Sequence, residues 1–218
     1  MKTVRLSLPF ALAVALVCAI VLPASAGEVL KGNEYGLSKC YCGERLDSKG
    51  VPATISYKGR ELRFCGPKCK AQFEKNPNQC IKQIDDGIIS MQKAYYPLST
   101  CVVTDQPLSE NSIDYVYNNQ LVRFSSHDAL NEFQKHPKKY IKKLDKAAAA
   151  CQTPTYPMET CPVTGKKLDC ESLTYLSSNR IIRFCDDEAL NKFRKDPGKY
   201  INVLDQAQRT GSALSSAR

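Results

Sequence analysis

A period of 60 residues runs through the chain: Phe64, Phe124 and Phe184 are separated by this interval, as are Pro77, Pro137 and Pro197, and Asp85, Asp145 and Asp205. The triplets Leu62-Arg63-Phe64, Val122-Arg123-Phe124 and Ile182-Arg183-Phe184 repeat one apolar-Arg-Phe pattern in register. Tyr35, Tyr96 and Tyr156 each stand five residues before a cysteine, namely Cys40, Cys101 and Cys161. Self-similarity at a fixed interval means one supersecondary unit used three times. A unit this small buries little apolar surface alone and needs a metal, disulfides or its neighbours to be stable. The modules span 35–88, 96–147 and 156–206.

Within each module the local signals come in one order. A cysteine turn is followed by a hairpin, in which Thr54–Tyr57 and Glu61–Phe64 flank Lys58-Gly59-Arg60, with Asn118-Asn119 and Ser178-Asn179 as the later turns. A helix follows, capped by Ser126 or Asp186, with Ala129, Leu130 and Phe133 (Ala189, Leu190 and Phe193 in the third copy) on its apolar face. Pro137 and Pro197 end it and open a second short helix carrying Tyr140, Ile141 and Leu144, or Tyr200, Ile201 and Leu204. The expected fold class is therefore α+β, three tandem modules each made of a cysteine turn, a β-hairpin and two short helices. Stretches 87–94 and 146–155 read as connectors, and 207–218 as a polar, disordered tail.

The N-terminus sets the compartment in which the cysteines are read. Lys2 and Arg5 precede an apolar stretch from Leu6 to Leu22, and Ala24-Ser25-Ala26 offers a small-residue cleavage site. These are the parts of a secretory signal peptide, 1–26, followed by a leader, 27–34. The apolar stretch, interrupted by Pro9, is short for a membrane anchor. The expectation is a periplasmic or secreted protein with 29 basic residues, 22 acidic residues and ten cysteines after cleavage. Most of that basic excess reads as a solvated face, with membrane-surface contact as a use for it; nucleic acid is not an expected partner, because no recognisable binding motif accompanies the charge.

Module 1 carries the chemistry. Cys40 and Cys42 sit on a turn opened by Gly43, while Cys65 and Cys69 lie at the strand-to-helix junction, four residues apart. A hairpin between the two pairs brings four thiols together, and tetrahedral sites for a borderline or soft cation are built this way. The start of the helix also favours thiolate at Cys65 and Cys69. An oxidising compartment makes two disulfides across the hairpin the rival assignment.

Three segments, Cys161–Leu168 (CPVTGKKL), Phe64–Cys69 (FCGPKC) and Phe193–Ile201 (FRKDPGKYI), resemble the YHS and TRASH families of heavy-metal-binding domains. The resemblance implies a treble-clef-like cysteine fold that binds transition metals, zinc or copper, and often accompanies copper or other heavy-metal transport and sensing. Its metal-binding cysteines carry over onto Cys40, Cys42, Cys65 and Cys69 only.

Modules 2 and 3 depart from this pattern. With Gly43 aligned to Asp105 and Gly165, Cys42 becomes Thr104 and Thr164, Cys65 becomes Ser125 and Cys185, and Cys69 becomes Ala129 and Ala189. Neither copy retains four cysteines, so both are expected to fold without metal. Cys161 and Cys185 are expected to form a disulfide in place of the lost site. Cys80, Cys101, Cys151 and Cys170 allow three pairings among themselves. His127 and His136 read as solvent-facing helix residues. The expected function is binding of one zinc or copper ion by module 1, in metal handling with a possible protein partner or as a structural site. The alternative is a disulfide-stapled interaction scaffold. No nucleophile–base pair or phosphate loop suggests an enzyme.

Overall fold

The computed structural model describes residues 29–216, with side chains to residue 210. The described residues form a mixed α+β fold with six helices and small sheets of two or three strands. A short strand β1 (Leu30–Gly32) precedes the repeats. Module 1 contains β2 (Ala53–Tyr57), β3 (Arg60–Phe64), α1 (Pro67–Lys75) and α2 (Pro77–Lys93). Module 2 follows with β4 (Ile113–Tyr117), β5 (Gln120–Phe124), α3 (His127–Lys135) and α4 (Pro137–Gln152). Module 3 has β6 (Leu173–Ser177), β7 (Arg180–Phe184), α5 (Asp187–Lys195) and α6 (Pro197–Ser216).

Each hairpin is closed by two residues, the last paired positions being Tyr57 with Arg60, Tyr117 with Gln120 and Ser177 with Arg180. Lys58, Gly59, Asn118 and Asn119 have positive φ, the geometry that a two-residue turn between twisted strands requires. The conserved spacing of Phe translates into one packing motif: Phe64 on Phe73, Phe124 on Phe133 and Phe184 on Phe193, each with ring centroids 5.2 Å apart. Ser126 and Asp186 accept from the Ala129 and Ala189 N–H groups as N-caps, and Pro77, Pro137 and Pro197 each stand at the first residue of the next helix.

The second helix of each module is longer than the short helix expected. Those helices have 17, 16 and 20 residues, and they absorb most of the stretches that read as connectors. The reason lies between modules. Gln92, near the end of α2, donates to Asn119 O at 2.7 Å and accepts from Leu121 N at 2.8 Å, clamping the hairpin turn of module 2. One period later, Gln152 at the end of α4 makes the same pair of bonds to Asn179 O (2.7 Å) and Ile181 N (2.9 Å). The helix must reach the neighbour's hairpin, so it continues past the point where its own module ends. Gly87 is tolerated inside α2 because a Cβ there would already press on Leu37 at 3.1 Å.

Modules 1 and 3 also touch. Just ahead of module 1, β1 pairs parallel with β6, placing Leu30 opposite Tyr175. The Arg63 guanidinium donates to the carbonyls of Lys195 (2.6 Å) and Arg194 (2.7 Å) at the end of α5. Helix α6 starts against residues 37 and 38, where a Cβ on Gly198 would stand 2.7 Å from their backbone. The three modules therefore close on one another, with each contacting both others. Helical backbone extends to Ser216, into the stretch read as a polar tail. Residues 1–26, the stretch read from the sequence as a signal peptide, lie outside the described residues.

Candidate metal centre

Cys40 and Cys42 lie on a turn held by an isolated bridge between Lys39 and Arg45, with Cys40 N donating to Glu44 O (2.8 Å) and Gly43 N to Cys40 O (2.9 Å). Gly43 has φ 90°, a left-handed conformation that lets the chain double back and present both thiols on one side. The hairpin β2–β3 carries Cys65 to the same place, and Cys69 follows one turn into α1. The four Sγ atoms lie within 4.8 Å of one another. Cys42 stands 3.7 Å from Cys65, Cys65 is 3.5 Å from Cys69, and Cys69 is 3.6 Å from Cys42.

Those separations test the donor set. Four thiolates placed tetrahedrally at about 2.3 Å from a zinc ion stand about 3.8 Å apart. The contacts among Cys42, Cys65 and Cys69 come within a few tenths of an ångström of that spacing, and Cys40 lies in the same 4.8 Å cluster, so the four thiols fit around a tetrahedrally coordinated cation. Cys40 and Cys65 are buried, Cys69 is half-buried and Cys42 is exposed, which leaves one edge open to solvent. Tyr41, a residue the sequence did not single out, braces the site: its hydroxyl donates to Cys69 O at 3.0 Å and its ring stands edge-on to Phe64.

Without an ion the thiols compete for protons. Burial, then the neighbouring Cys65 and Cys42 thiols, push Cys69 up to about 12. Burial also raises Cys40, partly offset by the N–H groups of Cys42 and Cys65. Cys42 moves the other way, because the Glu44 N–H and the surrounding thiols outweigh the effect of burial. A cation that takes all four thiolates must displace these protons, so binding strengthens as pH rises.

The corresponding turns of modules 2 and 3 have the same shape with one residue more. Asp105 N bonds Cys101 O and Gly165 N bonds Cys161 O, both at 2.9 Å, and both residues have positive φ. In module 2, Thr104 and Ser125 occupy the positions of Cys42 and Cys65, and their hydroxyls meet at 3.0 Å. In module 3, Thr164 meets Cys185 Sγ at 3.2 Å. The disulfide expected between Cys161 and Cys185 is not formed. Both are free thiols, and Cys185 is engaged by the Thr164 hydroxyl and by Asp186 at 3.4 Å. Among the described residues no cysteine pair stands at bonding distance, so the stapled alternative finds no bridge here. Cys80 and Cys101 are buried, whereas Cys151 and Cys170 are exposed. His127 and His136 are exposed and belong to no cluster of metal-ligating side chains among the described residues.

The surroundings of Cys101 favour its thiolate over its thiol. Burial raises its pKa, but the Thr104 hydroxyl and the N–H groups of Ser125, Thr104 and Val103 outweigh this and lower it from 9.0 to about 7. A group whose folded pKa is depressed adds stability above its unfolded pKa and loses it as pH falls through the folded one. The stability difference between the wild-type chain and Cys101→Ala is therefore expected to grow by on the order of 1 kcal/mol from pH 6 to pH 9. Urea unfolding of both proteins at the two pH values measures it, and a pH-independent difference would refute the assignment.

No protein-family model, no curated protein and no solved structure matches this chain.

Proposed function

We propose that this is an exported transition-metal-binding protein whose module 1 holds one zinc or copper ion through Cys40, Cys42, Cys65 and Cys69. The observation that carries the proposal is the convergence of four thiols at separations of 3.5–3.7 Å among three of them, with the fourth inside the same 4.8 Å cluster. Four soft donors suit zinc or copper(I) and disfavour magnesium or calcium, which take oxygen. A bound ion would supply cross-linking of the turn, the hairpin and α1. The protein's own part is to hold the thiols close, through the Gly43 turn and the Tyr41 brace, and to leave Cys42 open to incoming metal.

The YHS and TRASH resemblance supports this reading through the same four cysteines and adds a treble-clef-like module. The apolar segment with its basic start and Ala24-Ser25-Ala26 supports export to the periplasm or beyond. The exposed edge at Cys42 favours metal handling, with a partner that offers or accepts the ion, over a sealed structural site. The arrangement is that of a binder rather than an enzyme. Elemental analysis of protein purified from its natural compartment without added metal is expected to give close to one zinc or copper per chain. Protein that is metal-free and keeps its thiols bridged as disulfides would instead favour the scaffold.

A further inference from the structure

Module 3 retains two thiols at the positions of Cys40 and Cys65, and the structure leaves both unbonded. Cys161 is buried, on a turn closed by Gly165 N bonding to its carbonyl at 2.9 Å and by its own N–H bonding to Lys166 O at 2.8 Å. Cys185 is half-buried and directly follows the last residue of β7, as Cys65 follows β3; the turn and hairpin repeat those that hold Cys40 and Cys65 within one 4.8 Å cluster in module 1. Around Cys185 Sγ stand two oxygen atoms, Thr164 Oγ1 at 3.2 Å and an Asp186 carboxylate oxygen at 3.4 Å, the latter also 3.7 Å from Lys166 Nζ. Module 2 has nothing comparable, since Ser125 replaces the second thiol. The fourth position, Cys69 in module 1, is Ala189 here, fully buried and without a donor.

We propose that Cys161 and Cys185 form a second metal site, of lower coordination number than that of module 1 and selective for a soft monovalent d10 ion of the copper(I) class. Two thiolates satisfy such an ion, whereas a zinc tetrahedron needs two further strong donors that Thr164 and Ala189 do not supply. The ion replaces the two thiol protons, which pass to solvent, and no electron is transferred. The half-exposed Cys185 gives the ion a way in. The site shares no ligand with the four-cysteine centre, so the two assignments stand or fall separately.

The test uses the full chain, reduced and freed of metal, titrated with copper(I) against a competing copper(I) chelator. C185S is the informative variant, because module 2 already folds with serine at the matching position. It is expected to bind one equivalent fewer than the wild-type chain. Copper(I) loading of the wild type is expected to slow alkylation of Cys185 at least tenfold, while the same excess of zinc leaves it alkylated. Equal copper(I) stoichiometry in wild type and C185S would overturn the proposal. So would unchanged Cys185 alkylation on loading, a readout that needs no variant to fold. Loss of the four-cysteine site alone would lower both stoichiometries equally and leave their difference at one.

Discussion

Replacing Cys65 and Cys69 together by Ser is expected to abolish stoichiometric metal binding by module 1. Cys65 is buried and lies 3.7 Å from Cys42 and 3.5 Å from Cys69, so the double change removes half of one compact donor set. Serine keeps the volume and loses the soft anion; a hydroxyl is not deprotonated near neutral pH and binds zinc or copper(I) far more weakly than a thiolate. Structural thiolate sites contribute apparent binding energies of roughly 10 kcal/mol or more near neutral pH, and two thiolates are a large share of that. Affinity is expected to fall by several orders of magnitude in a competition titration with a zinc chelator. A variant that keeps one tightly held zinc through Cys40 and Cys42 would show that the cluster is not the centre.

The second large effect is expected far from the thiols, at Gln92. Its side chain is 1% exposed and makes three hydrogen bonds: to Asn119 O at 2.7 Å, from Leu121 N at 2.8 Å and from Asn179 Nδ2 at 3.0 Å. Asn179 and Asn119 are equally buried and extend the chain of amides, to Leu121 O (2.8 Å) and Glu61 O (2.9 Å) respectively. Truncation by Gln92→Ala leaves a carbonyl and two N–H groups without partners where water does not reach them. At about 1–3 kcal/mol for each group so stranded, the loss is on the order of 4 kcal/mol. Urea unfolding of the full chain measures it, and a loss below about 1 kcal/mol would show that the modules are joined by something else. Gln152→Ala, which strips the matching bonds between modules 2 and 3, is expected to cost slightly less because Gln152 is only half-buried and water can reach some of the stranded groups.

Much of this arrangement was present in the residue order. The 60-residue spacing of Phe, Pro and Asp set the module count, and the Phe pairs pack alike because α1, α3 and α5 each place their Phe nine residues after the strand Phe. The caps at Ser126 and Asp186, the hairpin turns and the four cysteines around Gly43 and Cys65 follow from local rules: positive φ, a side-chain oxygen at a helix start, two-residue loops. Such features depend on neighbours within a few residues and so leave a mark in the sequence.

Between modules, the tertiary structure decided what local rules do not reach. Gln92 and Gln152 read as ordinary polar residues in a connector, and their role rests on partners 27 to 29 residues away in the next hairpin. The pairing of Leu30–Gly32 with β6 joins segments more than 140 residues apart and repeats nowhere else, so no period announced it. At Cys161 and Cys185 the repeat put one thiol on the turn and one at the strand end, but whether they bond depends on where each sulfur points, and they stand as free thiols. There the Thr164 hydroxyl and the Asp186 carboxylate engage Cys185, competition between side chains that no spacing encodes.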